Sequence, residues 1–399
     1  MNLRERFHTL AEARLPVWIA WRRHLHAHPE LSFEEHQTMA YVAARLSELG
    51  VAHETEVTGT GIVATVRGNA PDTRCLALRA DMDALPIQEA NEVPYASTVP
   101  GLMHACGHDV HTTSLLGAID LLQATREHWT GSVRCVFQPG EERLPGGALA
   151  MVEAGVLENP TPRLILGQHV YPQLPAGHVG MRSGPYMASA DEIHVEVVGK
   201  GGHAALPHAC ADAVLATAHM LVAVQDVISR HRPPAVPSVL SFGRVEALGA
   251  TNVLPDKVVV KGTFRALDES WRFEAHDHIR RILTHTAKAH GCEVDVDIRT
   301  GYPYVHNHEA TTEAMRRAAV AYLGEGRVHD LDLRMTGEDF GHFANAVPGC
   351  FYRLGTADAD GGTHGTSGLH TPRFDVDERA LAVGAGLMAY AATELLGRG

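Results

Sequence analysis

Residues 104–122, HACGHDVHTTSLLGAIDLL, join a loop with cysteine and histidine to an apolar run at residues 110–122 that predicts a helix. Runs typical of β-strands lie before and after this stretch, at residues 75–80 and 133–137. Further strand-like and helix-like runs lie at residues 18–28, 34–49, 61–66, 148–154 and 164–167. Segments that alternate in this way build a sheet covered by helices on both faces. The sequence therefore predicts an α/β domain with a central mixed sheet.

The pattern changes after residue 184. Residues 191–198, DEIHVEVV, alternate between apolar and polar as a half-buried strand does, and an apolar-periodic helix follows at residues 211–229. Two strands, a helix and a closing strand come next, at residues 238–245, 257–265, 270–290 and 293–299. Four strands and two helices predict a smaller α+β domain inserted at residues 185–300. Because a helix at residues 377–396 returns to the earlier pattern, residues 1–184 and 301–399 are predicted to form one larger domain.

Composition restricts the class of partner. The 399 residues are 45% hydrophobic and 20% charged, as in ordinary globular proteins. A formal net charge of −13 argues against nucleic acid and anionic membranes, which attract basic surfaces, and favours a small-molecule ligand. No run approaches the ~18 apolar residues of a membrane span, and Arg4, Glu5 and Arg6 stand where a secretion signal would be apolar. We expect a cytoplasmic protein whose six scattered cysteines stay reduced.

Side chains suited to metal binding recur at the ends of strand-like runs and in loops. They are Cys106 and His108 in HACGHD, Glu141 and Glu142 in QPGEE, His169 in GQHV and His370 in GLHTPRF. Cysteine, histidine and glutamate in this order can fill two adjacent sites for divalent cations, with one carboxylate left over. Cys106 is the predicted bridge, since it is the soft anionic ligand of the set. The sequence-based assignment gives Cys106, His108 and Glu142 to one ion, and Cys106, His169 and His370 to the other.

The remaining carboxylates receive supporting roles. Glu141 lies beside a ligand but points elsewhere, because successive side chains in extended backbone diverge. It is the predicted general base, which takes a proton from a metal-activated water and passes it to a leaving amine. Asp81 and Asp83 in RADMDALP are predicted to orient a ligand histidine, with turn formation and direct ligation as the alternatives. This set predicts the hydrolysis of an amide.

Two other interpretations of the same residues stay open. Cys106 could be a nucleophile activated by a histidine base, without any metal. The chain could also bind metal without catalysis, although such a protein would be expected to lack the general base, and Glu141 is present.

A series of short stretches resembles one known family. These stretches are RRHLHAHPELSFEE, RADMDALP, HACGHD, QPGEE, GQHV, GKGGHAALPH, TNVLPD, GTFRA, MTGEDF and LHTPRFDVDE, in the same order as in the family, from residue 22 to residue 378. The family is the dimeric metallopeptidase superfamily of aminoacylases and carboxypeptidases. The branch that the chain resembles contains amidohydrolases, namely hippurate hydrolases and indoleacetyl-amino-acid hydrolases.

The resemblance implies a catalytic domain interrupted by a lid or dimerisation domain. It implies a homodimer formed through the lid, with larger assemblies left open. It also implies roles for three lid residues that spacing alone does not indicate. His203 resembles a histidine that reaches across the dimer to polarise the scissile carbonyl, while Asn252 and Arg265 resemble groups that hold the carbonyl and the α-carboxylate of the substrate.

The substrate implied by the resemblance is an N-acyl or aroyl amino acid with a free carboxylate. A metallo-carboxypeptidase or dipeptidase is the alternative, because short peptides share the amide and the carboxylate. Two divalent ions per chain are expected: thiolate ligation favours zinc, the resemblance favours manganese, and cobalt or nickel remain candidates. One departure bears on the metal set, since Asp81 stands where the aminoacylase and carboxypeptidase branches have a histidine ligand.

Overall fold

The computed structural model describes residues 2–71, 73–362 and 365–397. Contacts divide the chain into two units, each with its own hydrophobic core. The first unit comprises Met1–Gly184, His306–Asp332 and Asp339–Gly399. The second unit comprises Pro185–Val305 together with the short segment Leu333–Glu338. The chain therefore leaves the first unit after Gly184 and returns to it at His306.

An eight-stranded mixed sheet forms the centre of the first unit. Its strands are β1 (His53–Val57), β2 (Gly61–Arg67), β3 (Cys75–Asp81), β4 (Ser132–Gln138), β5 (Ile165–Pro175), β6 (Val179–Met181), β15 (Val328–Asp330) and β16 (Gly349–Ala357). Their order is β1-β2-β4-β3-β5-β16-β6-β15. The central strands β4, β3, β5 and β16 are parallel, whereas β1 and β2 pair antiparallel. Two further strands, β7 (Gly184–Met187) and β14 (Val305–Asn307), lie where the chain passes between the units.

Seven helices flank this sheet among the described residues. They are α1 (Leu3–Ala27), α2 (His36–Glu48), α3 (His108–Ala124), α4 (Gly147–Glu153), α7 (Glu309–Leu323), α8 (Gly341–Ala346) and α9 (Ala380–Gly397). Helix α3 is buried from His108 to Leu122 and packs against α1 and α9. An apolar helix that is buried nearly all round forms the interior of a unit rather than its surface.

The parallel strands place three polar segments at one edge of the sheet. Asp81 ends β3 and pairs with Gln138, which ends β4 just before residues 139–142. On the other side of β3, Arg79 pairs with Gly167, so His169 of β5 is level with Asp81. Functional groups of such sheets gather beyond the carboxyl ends of the strands. The amino end of α3, with His108, lies close to the same edge, since Thr112 Oγ1 donates to the Asp81 carbonyl at 2.8 Å.

The second unit is a four-stranded antiparallel sheet with two helices. The sheet has the order β10 (Ser238–Ala247), β12 (Lys257–Ala266), β8 (Asp191–Val198) and β13 (Glu293–Thr300). Helices α5 (Ala213–Ala223) and α6 (Glu269–Ala289) pack on it. Strands β9 (Gly202–His203) and β11 (Val253–Leu254) form a separate two-stranded ribbon. The helix predicted at residues 211–229 is shorter than expected, because α5 ends at Ala223 and a π-helical turn follows at Val227–His231.

The predicted fold class is confirmed, with a large mixed sheet flanked by helices and a smaller four-stranded unit with two helices. By length and composition alone, two helices are apolar enough to cross a membrane, at Ala213–His231 and Ala380–Gly397. Such a match is weak evidence, because the core helix of a globular protein passes the same test. The second of these helices has 78% of its most apolar window buried inside the first unit.

Candidate metal centre

The residues of the HACGHD loop enter the centre through a glycine turn. Gly107 precedes α3 with φ +83, a conformation that side chains rarely adopt. A Cβ atom there would lie 2.6 Å from Cγ2 of Val170. The glycine therefore allows Cys106 and His108, on its two sides, to approach β5 closely. Cys106 is 6% exposed and His108 is fully buried.

The structure brings together all five side chains that were predicted to bind metal. The Cys106 Sγ atom lies 3.4 Å from His169 Nε2 and 3.3 Å from His370 Nε2. The Oε1 atom of Glu142 lies 3.2 Å from His370 Nε2 and 3.9 Å from His108 Nε2. These atoms come from α3, β5 and three loops, and they converge on one volume.

The distances group the ligands differently from the sequence-based partition. Among the five predicted ligands, two triads have potential ligand atoms that all lie within 4.8 Å of one another, namely Cys106 with His108 and His169, and Cys106 with Glu142 and His370. Cys106 is common to both triads, as expected of a bridging ligand. The sequence had instead paired His108 with Glu142, which follow each other along the chain. Spacing along the chain carries no distance between side chains on different elements, so it could not decide this pairing.

Hydrogen bonds on the far side of two imidazole rings direct their Nε2 atoms into the centre. His169 Nδ1 lies 2.8 Å from the carbonyl oxygen of Val170, which only accepts, so Nδ1 carries the hydrogen. His108 Nδ1 lies 3.1 Å from Asp83 Oδ1, as in the carboxylate–histidine pairs of metal sites. Asp83 thus occupies the place that its predicted orienting role requires.

The donor set fits divalent cations. Among the described residues, His108 Nε2 and Glu142 Oε1 are buried and lack a hydrogen-bond partner. A buried polar atom without a partner is costly, and two of them aimed at one volume indicate a missing ligand. Thiolate, imidazole and carboxylate are also the groups that zinc and related ions prefer.

The electrostatics of the centre favour positive charge. Burial lowers the pKa of His108, but Asp81 and the Asp83 carboxylate outweigh it and raise that pKa to about 10. Burial raises the pKa of the Cys106 thiol well above its usual value, and the carboxylates of Glu142 and Glu141 raise it further. A site that retains a proton on imidazole and resists a thiolate has a negative potential, which bound cations would neutralise.

Asp81 makes a different set of contacts from Asp83. Its Oδ2 atom accepts from Arg79 Nη1 at 2.6 Å, and its Oδ1 atom lies 2.6 Å from His111 Nδ1. The backbone N–H of Val170 donates to His111 Nε2 at 2.8 Å. His111 therefore links Asp81 to the strand that carries His169, a role that the sequence analysis missed. Its position three residues after His108, on the same helix face, was the available signal.

Glu141, the predicted general base, lies at the edge of this centre. It is 7% exposed, and one of its carboxylate oxygens lies within 4.8 Å of the ligand atoms of His108 and Glu142. Glu141 and Glu142 are adjacent in the sequence, but they differ in position, because only Glu142 forms a triad with Cys106 and His370.

The three predicted lid residues all belong to the second unit. His203 on β9 and Asn252 in the turn before β11 are exposed neighbours, and the Ala204 N–H donates to the Asn252 carbonyl at 3.0 Å. The Ala205 N–H donates to His203 Nδ1 at 3.1 Å, so in the neutral ring the hydrogen is on Nε2. Arg265 lies on β12 and donates through Nε to Thr263 Oγ1 at 3.0 Å.

Arg265 has an incomplete set of partners. Among the described residues, its two terminal guanidinium nitrogens make no hydrogen bond. Arg265 is partly buried, and this burial lowers its pKa because it disfavours the charged form. A half-buried guanidinium with free donors is suited to an incoming carboxylate.

Comparison with known proteins identifies the family. Residues 77–394 match the model of Peptidase family M20/M25/M40. The chain belongs to this family. The resemblance predicted from its motifs is thereby confirmed, and so is the prediction of a hydrolase.

Members of the M20 family align with most of the chain. It is 40% identical over 384 residues to the "Probable hydrolase sll0100" of Synechocystis sp., and the alignment covers 96% of both chains. It is 42% identical over 291 residues to the N-acyl-L-amino acid amidohydrolase of Geobacillus stearothermophilus, covering 73% of this chain and 78% of the relative. A crystal structure of the Bacillus subtilis YXEP protein, described as a dinuclear metal binding peptidase from the M20 family, superposes with a TM-score of 0.81 at 34% identity, covering 97% and 99% of the two chains.

Proposed function

We propose that this M20 hydrolase cleaves the amide bond of N-acyl or aroyl amino acids and releases a carboxylic acid and a free amino acid. The convergence of Cys106, His108, Glu142, His169 and His370 on one volume beside the Glu141 carboxylate carries the proposal. The name of the Geobacillus relative supports the substrate class.

Two divalent ions per chain, manganese or zinc, with cobalt or nickel as further candidates, are proposed for the two triads. The Cys106–His108–His169 triad would hold one ion and the Cys106–Glu142–His370 triad the other, which replaces the sequence-based partition. Such ions lower the pKa of water toward neutrality and polarise a carbonyl. The dinuclear description of the YXEP structure supports two ions rather than one.

Glu141 is the proposed proton carrier. It takes a proton from the water that attacks the carbonyl carbon and gives it to the amine nitrogen as the carbon–nitrogen bond breaks. Its position within 4.8 Å of ligand atoms in the centre supports this role.

The second unit is proposed to recognise the substrate. The Nε2–H of His203 is a donor suited to the developing oxyanion, and Asn252 beside it is a second group for the same carbonyl. The free guanidinium donors of Arg265 suit the α-carboxylate. A substrate without that carboxylate should therefore bind weakly.

A homodimer through the second unit is proposed as the active form, with larger assemblies left open. Apolar side chains on this unit are exposed, including Val222 at 76%, Leu215 at 50% and Leu248 at 85%. An exposed apolar surface of this kind is typical of an interface between subunits. The cytoplasm remains the proposed location, and all six cysteines are unpaired, as expected there.

The proposed function is tested by a substrate panel on metal-free and metal-loaded enzyme. Benzoyl-, acetyl- and indoleacetyl-amino acids should turn over faster than dipeptides, and only after manganese or zinc is added. Faster turnover of every dipeptide would favour a carboxypeptidase or dipeptidase, an alternative that the description of the YXEP structure as a peptidase supports.

Activity that survives thorough metal removal would favour Cys106 as a nucleophile. Burial and the neighbouring carboxylates, which oppose its thiolate, count against that mechanism. A metal-loaded enzyme that cleaves no member of the panel would favour a metal-binding protein without catalysis.

A further inference from the structure

The PELSFEE segment, residues 29–35, contacts the centre although it supplies no metal ligand. It connects α1, which ends at Ala27, to α2, which begins at His36. Two of its polar side chains face inward, with Ser32 7% exposed and Glu35 fully buried. Burial of a carboxylate costs free energy unless the carboxylate is hydrogen-bonded.

Each carboxylate oxygen of Glu35 accepts a hydrogen bond from a neutral donor. The backbone N–H of Gly140, the residue before Glu141, donates to Glu35 Oε1 at 2.8 Å. The Thr60 hydroxyl donates to Glu35 Oε2 at 2.5 Å. Glu35 thus attaches the QPGEE loop, one residue before the proposed base, to α2 and to the turn before β2.

The same segment packs closely against Gly140. Gly140 has φ +61, and a Cβ atom there would lie 2.4 Å from Cε1 of Phe33. Phe33 itself has φ +67, an uncommon conformation for an aromatic residue. Strained backbone of this kind persists where the surrounding structure determines it, often beside a functional site.

Ser32 makes a hydrogen bond to Asp83, which orients a predicted ligand of the centre. Its hydroxyl donates to Asp83 Oδ2 at 2.6 Å, and the N–H of Glu142 donates to the same oxygen at 2.9 Å. The backbone of the segment runs beside Asp83 as well, because the Ala84 N–H donates to the Glu30 carbonyl at 2.8 Å. Asp83 in turn contacts the His108 ring.

We propose that Glu35 and Ser32 are positioning residues for hydrolysis. Glu35 holds the Gly140 N–H and thereby aims the Glu141 carboxylate, whereas Ser32 holds Asp83 and thereby the His108 ring. The inference rests on the proposed role of Glu141 as general base. The two residues should therefore affect different quantities, with Glu35 acting on the chemical step and Ser32 acting on metal affinity.

The experiment compares Glu35→Leu with Glu35→Gln and with Glu34→Leu. Leucine fills a similar volume but leaves the Gly140 N–H without an acceptor, whereas glutamine retains one. Glu34 is the adjacent glutamate, is exposed and makes no side-chain hydrogen bond among the described residues. We expect Glu35→Leu to lower kcat by roughly 10- to 100-fold, as misplacement of a catalytic group by ~1 Å does. KM and the content of bound metal should stay unchanged, glutamine should restore most of kcat, and Glu34→Leu should match the wild type.

Ser32→Ala is tested by metal titration of the metal-free protein. Loss of a group that orients a ligand partner typically costs about 10- to 100-fold in metal affinity, and Ser32→Ala should approach the lower value because Asp83 keeps its other contacts. Glu35→Leu should not change that affinity. If Glu35→Leu fails to fold, Thr60→Val, which removes only the second partner of Glu35, should lower kcat by a smaller factor.

Several results would overturn the proposal. They are wild-type kcat in folded Glu35→Leu or Thr60→Val, loss of metal with Glu35→Leu, no rescue by glutamine, or unchanged metal affinity in Ser32→Ala. Failure of the proposed function is distinguished by Glu141→Gln measured beside them. If Glu141→Gln is inactive while Glu35→Leu is fully active, only the positioning role is refuted. If Glu141→Gln is fully active, the proposed general base is refuted whatever the Glu35 variants do.

Discussion

The substitution Asp83→Asn should weaken metal binding by changing which nitrogen of His108 carries the hydrogen. Asp83 Oδ2 accepts from the Ser32 hydroxyl at 2.6 Å and from the Glu142 N–H at 2.9 Å, while Oδ1 lies 3.1 Å from His108 Nδ1. A backbone N–H only donates, so the asparagine oxygen must remain at the Oδ2 position. The amide NH₂ group then faces His108 Nδ1 and requires it to accept. The ring hydrogen moves to Nε2, the atom that is proposed to bind metal.

The magnitude follows from the loss of a productive tautomer. Mutation of a partner that orients a ligand histidine typically costs about 10- to 100-fold in metal affinity. Because this replacement actively favours the wrong tautomer, we expect about 100-fold, or about 2.7 kcal/mol. Calorimetric titration of the metal-free protein with zinc or manganese measures it directly.

A matched control lies on the same helix. Asp120→Asn alters a buried carboxylate of α3, the helix that carries His108, and this carboxylate accepts from Arg14 at 2.6 Å and from Trp18 at 3.3 Å. It follows His108 by three turns of helix, ~18 Å at 1.5 Å per residue, and should leave metal affinity unchanged. Equal losses in both variants, or wild-type affinity in Asp83→Asn, would refute the reasoning about His108.

Three further predictions concern the remaining roles. Glu141→Gln should retain two metal ions per chain and lose roughly 10²- to 10⁴-fold in kcat, because the proton carrier is removed and the ligands stay; loss of metal, measured by elemental analysis, would mean that the two adjacent glutamates have exchanged roles. His203→Ala and His370→Ala should each be inactive, but mixed chains should regain up to about a quarter of wild-type activity if His203 acts across a two-fold dimer; no recovery after verified subunit exchange would place its action within one chain. Arg265→Gln should raise KM for N-acyl amino acids and leave KM unchanged for the corresponding amides without a carboxylate, in steady-state assays; equal effects on both substrates would exclude a carboxylate contact.

Local patterns in the sequence predicted many elements correctly. The strand at residues 191–198 is observed with the predicted bounds as β8, because one face is buried and its apolar residues alternate strictly. Helix α3 was recognised from its apolar run and begins two residues earlier, at His108.

Other elements between residues 301 and 376 were given no bounds, although the residues around Cys350 form an apolar, strand-like run. Strand β16 is buried along nearly its whole length, so it lacks the alternation of a half-buried strand, and Arg353 interrupts its apolar run. Helix α7 did carry a helical signal, since Met315, Ala318, Ala319 and Tyr322 share one buried face. That signal was overlooked.

The candidate site shows the same division between local and long-range information. Residue chemistry pointed to Cys106, His108 and the other predicted ligands because cysteine, histidine and glutamate recur at the ends of strand-like runs and in loops, and the structure brings these side chains together. The division of those ligands between two triads depends on distances across α3, β5 and three loops, and spacing along the chain does not contain these distances. The contacts of Glu35 with Gly140 and of His111 with Val170 join residues that are 105 and 59 positions apart, so only the folded chain displays them.

Anomalous diffraction from crystals of the zinc- or manganese-loaded protein tests the proposed centre most directly. We expect two anomalous peaks per chain on either side of Cys106 Sγ, one beside His108 and His169 and the other beside Glu142 and His370. A metal-loaded crystal with no peak between these side chains, or with a single peak that Cys106 does not contact, would contradict the proposed two-ion centre.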